Sequence, residues 1–282
     1  MSEGMRARRL ATEDRARALD FLCHDPEQNL VLIDFVRQLG SDRGPGELPA
    51  QIHACFEDDR IVGVVLLRPC IALSAGIPDH ALETLMPYLM RVPSGLMKSE
   101  RGPVERTWKC IESLGRRSSI DRVEIAYRLR PERIVPADAS LPGVARPARA
   151  EDLDDLVYAA RASLWEEDRP DPAEGDPAGF RRWVEGRLSR ARIVSDAGRT
   201  VFVAYADVRR REGWLIQGVY TWPDVRRRGY ARRGMDSMVR EAFASGASHV
   251  QLAVVEGNEA ATSLYRELGF EEFAVLRTIL FF

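Results

Sequence analysis

The stretch best equipped for chemistry runs Val219-Tyr220-Thr221-Trp222-Pro223-Asp224-Val225-Arg226-Arg227-Arg228-Gly229-Tyr230-Ala231. An apolar strand pattern ends at Pro223, a short basic loop follows, and an amphipathic helix is predicted from Ala231 to Ala244. The first turn of any helix has backbone N–H groups without partners, and the helix dipole adds partial positive charge there. Gly229 and Ala231 keep that turn bare enough for a phosphate to touch the backbone, and Arg227, Arg228, Arg232 and Arg233 add full charges. Strand, small-residue loop and helix in this order build an anion site. Taken alone, the Arg-x-x-Gly-x-Ala string reads first as a solvated basic turn.

The residues downstream change that balance. A predicted strand, Val250 to Val255, is followed by Asn258, Ala261, Leu264-Tyr265 and Leu268-Gly269-Phe270. With Arg226-x-x-Gly229-x-Ala231, this pattern resembles the GNAT (Gcn5-related N-acetyltransferase) superfamily from about Arg146 to Phe282. Trp165-Glu166-Glu167, Ile216-Gln217-Gly218-Val219 before Pro223, and the closing Phe281 further resemble a two-domain GNAT group with a divergent GNAT-like N-terminal half.

The resemblance implies an α/β (α+β) fold of tandem GNAT-like domains, each a mixed, mostly antiparallel sheet flanked by helices. It divides the chain into a divergent half, residues 1–138, not expected to bind CoA, and a GNAT N-acetyltransferase domain, residues 139–282. It implies acetyl-CoA as co-substrate, an amine as acceptor and no metal. The pyrophosphate would rest on the loop of Arg226, Arg227, Arg228, Gly229, Tyr230, Ala231 and Arg232. The pantetheine arm would pair with the backbone of the strand at Val219, Tyr220 and Thr221, like an added strand. A backbone N–H of that strand would favour the developing oxyanion. The unprotonated amine attacks directly, so no cysteine is needed as nucleophile.

Tyr265 matches the tyrosine that returns a proton to the departing thiolate, a role suited to an ordinary pKa of about 10. Its alternative is a core tyrosine. Asn258, with Ala261, would hold the cofactor arm or cap the following helix. Gly269 reads as a helix-ending glycine. Arg227 departs from the family pattern, where many relatives carry glycine. No acid lies between Gly213 and Trp222, so the general base is not obvious; Glu166 and Glu167 are the candidates, and a water relay is the alternative.

The elements that position these residues can be read coarsely. Arg8 to Asp14 and Arg146 to Asp152 open the two halves alike, a short strand followed by acids that suit a helix start, which is a weak internal repeat. Pro131 to Pro147, with four prolines and Gly143, reads as a linker. In the first half we expect strands at Gln51–Phe56, Ile61–Leu67 and Val123–Leu129, and helices at Ala81–Met90 and Val104–Leu114. In the second, helices are expected at Phe180–Leu188 and Glu259–Leu268, and strands at Thr200–Ala206, Gly213–Trp222 and Phe273–Phe281. Asp168 to Gly179 has no periodicity and reads as a loop, with acids that hint at a cationic acceptor. The closing run Ile279 to Phe282 needs a paired strand or an interface, which leaves a homodimer open. The nearest phosphate-loop-like string in the first half is Ser99-Glu100-Arg101-Gly102-Pro103, where Pro103 lacks a donor and Glu100 has the wrong charge.

Composition excludes several classes. At 282 residues the chain suits about two domains, and 45% hydrophobic with 30% charged residues rules out disorder, collagen and a coiled-coil rod. The run Ile61 to Leu67 is far short of the ~20 apolar residues a membrane span needs. Acids at Glu13 and Asp14 stand where a signal peptide needs an apolar stretch, so a cytoplasmic protein is expected. A net charge of −2 offers no field for nucleic acid and argues against the aminoacyl-tRNA chemistry of some tandem relatives. No GxGxxG follows a strand, which excludes a nicotinamide Rossmann domain. The four cysteines lack metal or CxxC spacing and are expected as reduced, packed thiols. An acyl-CoA sensor without turnover is the alternative to an enzyme, and the acceptor amine is not legible.

Overall fold

The computed structural model describes residues 4–41, 49–167 and 169–282, so Asp168, the first residue of the expected loop, lies outside the described residues. The chain forms two compact units. One holds most residues up to Ala126 together with Ala274–Phe282, and the other holds Tyr127–Phe273.

In the first unit, β1 (Arg6–Arg9), β2 (Gln51–Glu57), β3 (Arg60–Arg68) and β4 (Ala72–Leu73) form an antiparallel sheet in that order. The predicted hairpin is present, and Asp58 and Asp59 take the positive φ, 45° and 64°, that a two-residue turn between twisted strands demands. Helices α1 (Arg15–Leu22) and α2 (Leu30–Arg37) pack with Val64 and Leu66 of β3. Helices α3 (Asp79–Leu89) and α4 (Arg101–Glu112) pack with Val65 and Leu67. Adjacent side chains on a strand point to opposite faces, so β3 is covered on both, which is why it reads as an unbroken apolar run. Strand β5 (Gly95–Glu100) and strand β6 (Ser118–Leu129) as far as Ala126 complete the unit. Neither α2 nor β5 was predicted: the first is apolar nearly all round, and the second has no period-2 pattern.

In the second unit, β7 (Arg146–Pro147), β8 (Ala191–Asp196), β9 (Arg199–Arg209), β10 (Trp214–Thr221) and β11 (Val250–Val255) lie side by side in that order. All neighbours are antiparallel except β10 and β11, which run parallel. Four helices accompany them: α5 (Leu153–Glu166), α6 (Pro177–Glu185), α7 (Tyr230–Ala244) and α8 (Glu259–Glu267). Phe202 of β9 meets Gly234 of α7, whereas Tyr220, paired with the next residue Val203, meets Tyr158 of α5. Strand alternation therefore puts α7 and α5 on opposite faces.

Three expectations need correction. Helix α6 starts three residues before Phe180, because Pro177 sits in its first turn and Asp176 accepts the Gly179 amide at 2.7 Å. Pro131–Pro147 is not a free tether: Leu141 lies against Gly229, and the Ala137 amide donates to buried Asp236 at 3.3 Å. Cys23 is exposed, not packed, although none of the four cysteines is in a disulfide.

The weak repeat has a physical basis. Arg8 binds Asp14 at 2.6 and 2.8 Å, and Asp14 accepts the Ala11 amide at 3.0 Å. Arg146 binds Asp152 at 2.8 and 2.9 Å, and Asp152 accepts the Arg149 amide at 2.7 Å. The closing strand β12 (Glu271–Phe281) pairs antiparallel with β5 from Leu276↔Glu100 to Phe281↔Gly95, which satisfies the apolar C-terminal run.

Candidate functional site

Strands β10 and β11 share a register at only two positions, Trp214↔Val250 and Leu215↔Gln251. From Ile216 on, β10 follows β9 to Thr221↔Phe202, with an irregularity between Gln217 and Tyr220 where Gly218 takes φ +59°. The Trp222 amide donates to Val201 of β9, so by antiparallel alternation the N–H and C=O of Thr221 turn to the other side, while Val219 lies within the irregularity. An extended ligand arm could pair there. Tyr220 turns its ring into the fold, and burial pushes its phenol up to about 12.

The loop after β10 enters α7 without a side-chain cap. The first amide to bond within the helix is that of Arg233, to the Gly229 carbonyl at 2.9 Å, so the amides of Tyr230, Ala231 and Arg232 precede the ladder. Gly229 has φ +90°, and a Cβ there would meet Leu141 Cδ2 at 2.7 Å. Arg227 has φ +60°, the conformation that glycine adopts freely. Its departure from the family pattern therefore keeps the glycine-type backbone. Arg227 and Arg228 are exposed. The Nε atoms of Arg232 and Arg233 are buried and have no partner, although Arg232 also reaches Glu267 at 2.9 Å. Orphaned donors around an uncapped helix start fit a polyanion.

Other expected site residues hold the frame. The Tyr230 hydroxyl donates to Asp196 at 2.5 Å, so its side chain anchors the start of α7 and only its backbone faces the loop. Asn258 caps α8 by accepting the Ala261 amide at 3.1 Å, which engages both residues locally. Arg226 folds back: its Nε donates to the Thr221 carbonyl at 2.9 Å, and its Nη2 to both oxygens of Glu166 at 2.6 and 2.8 Å. Glu167 ends α5 and lies 4.0 Å from Arg169. Tyr265 is buried on α8, its ring 5.7 Å from Phe270, and burial raises its pKa well above the ordinary value. Such a phenol keeps its proton across the physiological range, but it is a weaker acid than the ordinary tyrosine expected for proton return to a thiolate.

Sequence reasoning missed a neighbouring feature. Tyr158 stacks on Trp222 at 5.8 Å and meets Tyr220 edge-on at 6.5 Å. Asp154, Tyr158, Arg161 and Trp165 follow helical spacing on α5, which was the available signal.

The first unit repeats the plan with its donors taken. There β4 follows β3, a parallel bridge joins Ile71 to Met97, and α3 follows. The loop that corresponds to 226–229 is therefore 74–78, not the Ser99–Pro103 string. Ser99 Oγ accepts the Leu73 amide at 2.7 Å, Asn29 Oδ1 accepts that of Ala75 at 2.9 Å, and Glu100 Oε2 accepts that of Gly76 at 3.1 Å.

Among the described residues no group of three His, Cys, Asp or Glu side chains could hold a metal ion, and no helix is long and apolar enough to cross a membrane.

No curated protein matches the sequence. Solved structures show the fold. A Drosophila protein is 15% identical with a TM-score of 0.73, covering 98% of this chain and 99% of its own. A GCN5-related N-acetyltransferase from Sphaerobacter thermophilus is 16% identical with a TM-score of 0.60, covering 98% and 94%. A tandem GNAT protein from the clavulanic acid biosynthesis pathway is 15% identical with a TM-score of 0.53, covering 98% of each chain. Residues 155–270 match the acetyltransferase (GNAT) family, and the chain carries a domain of that family in its second unit.

Proposed function

We propose that the second unit transfers an acetyl group from acetyl-CoA to an amine. One observation carries the reading: β10 leaves β11 after Leu215 and delivers the chain to an uncapped helix start beside two orphaned guanidinium nitrogens.

The amides of Tyr230, Ala231 and Arg232, with Arg228, would hold the pyrophosphate, and the edge of β10 at Val219 and the Thr221 amide would hold the pantetheine arm, the Thr221 carbonyl being already held by Arg226. Acetyl-CoA supplies an activated thioester carbon. A neutral amine attacks it, an N–C bond forms, and the C–S bond breaks. Tyr265 gives its proton to the leaving sulfur. Glu166 is held by two hydrogen bonds from Arg226 and Glu167 only by the longer 4.0 Å approach of Arg169, and we assign Glu167, alone or through water, to take the proton from the amine.

Melting with acetyl-CoA, CoA and a nicotinamide dinucleotide tests the reading. Ligand near 100 times Kd stabilises by about 2.7 kcal/mol, a shift of a few degrees. Both CoA forms should shift the protein, the dinucleotide should not, and Arg228→Glu should shrink the shift. No shift with either CoA form overturns the reading. A second reading, acyl-CoA binding without turnover, is favoured by the pairing of Glu166 with Arg226; a CoA shift with no acetylation of any amine would establish it.

A further inference from the structure

We propose that the outer face of α5 binds the acceptor, and that the acceptor is a primary amine carried on an aromatic ring. The inference rests on the acetyl-transfer reading for its role, but the binding it describes can be measured without turnover.

A cavity of about 380 Å³ opens beside α5, with Tyr158, Arg161, Trp165 and Asp154 among its walls. That is the small end of the range for small-molecule pockets, about 300–1,000 Å³. It suits one ring system and a short chain, not a folded partner. Trp165 is 74% exposed and Tyr158 54%, although both are large and apolar. The Tyr158 ring is backed by Trp222, so it presents a fixed face. The fixed Tyr158 face and the exposed Trp165 ring favour a flat body by stacking and a cation by attraction to the ring quadrupole.

The charges select the sign. Arg161 is engaged by Asp171 at 3.2 and 2.5 Å, and Asp171 also accepts the Ala173 amide at 2.9 Å. Those groups complete one another. Asp154 Oδ1 accepts from Arg181 at 2.5 Å, and the side chain is 84% exposed, which leaves Oδ2 for an ammonium. An amino acid would need a guanidinium for its carboxylate; Arg161 is taken by Asp171, and Arg169, also in the cavity wall, lies 4.0 Å from Glu167. The same helix reaches the reaction region: Tyr158 touches Tyr220 of β10, and Glu166 binds Arg226.

Calorimetric titration with 2-phenylethylamine, n-butylamine and phenylalanine tests this on the full chain. We expect 2-phenylethylamine to bind at least tenfold tighter than the other two. Trp165→Ala should weaken it at least tenfold, and Trp165→Phe should restore it. In turnover the same Ala variant should raise KM for that amine and leave kcat and the acetyl-CoA KM unchanged. Equal binding of the three probes, tighter binding of phenylalanine, or indifference to Trp165→Ala would overturn the proposal. A missing CoA shift alongside intact amine binding would instead overturn the acetyl-transfer reading alone. Trp165 is a surface side chain, and an unchanged melting temperature verifies that the variant folds.

Discussion

One guanidinium nitrogen of Arg226 donates to both carboxylate oxygens of Glu166, at 2.6 and 2.8 Å, while Nε of the same group holds the Thr221 carbonyl. The end of α5 is thereby latched to the end of β10. A base so engaged is poorly placed to take a proton. Glu166→Gln should lower kcat less than about tenfold, short of the 10²–10⁴ typical of a lost general base. Both partners are partly exposed, so the melting curve should show a loss of about 0–1 kcal/mol. A loss of kcat beyond a hundredfold would return Glu166 to the role of base.

Tyr265→Phe removes the buried hydroxyl and keeps the ring against Phe270. We expect kcat to fall at least a hundredfold with the acetyl-CoA Kd within threefold. Burial raises the pKa of this phenol, so its acid form persists beyond pH 10. The wild-type kcat profile should show no alkaline fall below that pH from this group.

Gly229→Ala meets two obstacles, a φ of +90° and a Cβ contact of 2.7 Å with Leu141. Positive φ alone costs about 1–2 kcal/mol for a non-glycine residue. The variant should melt lower and weaken the CoA-dependent shift at least tenfold in Kd. Arg227→Gly, which relaxes a residue at φ +60°, should leave CoA binding intact and the protein no less stable.

The chain should bind one CoA, not two. In the first unit the amides of Leu73, Ala75 and Gly76 are taken by Ser99, Asn29 and Glu100, and the last puts a carboxylate where a phosphate would need to sit. Native mass spectrometry with excess CoA should show a single adduct that Arg228→Glu diminishes. Two adducts would show that the first unit opens.

Asp14 is held down to about 2 by its hydrogen bond to Arg8, with burial opposing and the Ala11 amide assisting. A depressed carboxylate stabilises the fold above its ordinary pKa near 4, and the stabilisation is lost as pH falls through about 2. The full shift corresponds to about 2.5 kcal/mol. Arg8 is 41% exposed and screened by water, so about 1–2 kcal/mol is expected. Asp14→Asn should cost that much at pH 7 in denaturant melts and nothing near pH 2.

Much of the candidate site is written in local sequence. Arg226-x-x-Gly229-x-Ala231 and the helix after it are contiguous, so turn chemistry, dipole and donors can be read from one dozen residues. The same holds for the cap at Asn258 and for the repeated Arg–Asp pairs six residues apart. What the sequence left open depends on partners distant in the chain. The Arg226–Glu166 latch spans 60 positions, and no spacing rule pairs such residues. The rings of Tyr158 and Trp222 meet only because strand alternation turns Tyr220 toward α5. Strand β5 has no readable period and exists because β12, at the other end of the chain, supplies its hydrogen bonds. The closing of the first unit's donors likewise required the 73–76 segment, Asn29 before α2 and the end of β5 at Ser99 and Glu100 to converge. Local chemistry is set by neighbours in sequence, whereas who shares a hydrogen bond or a ring face across a sheet is set by how the whole chain packs.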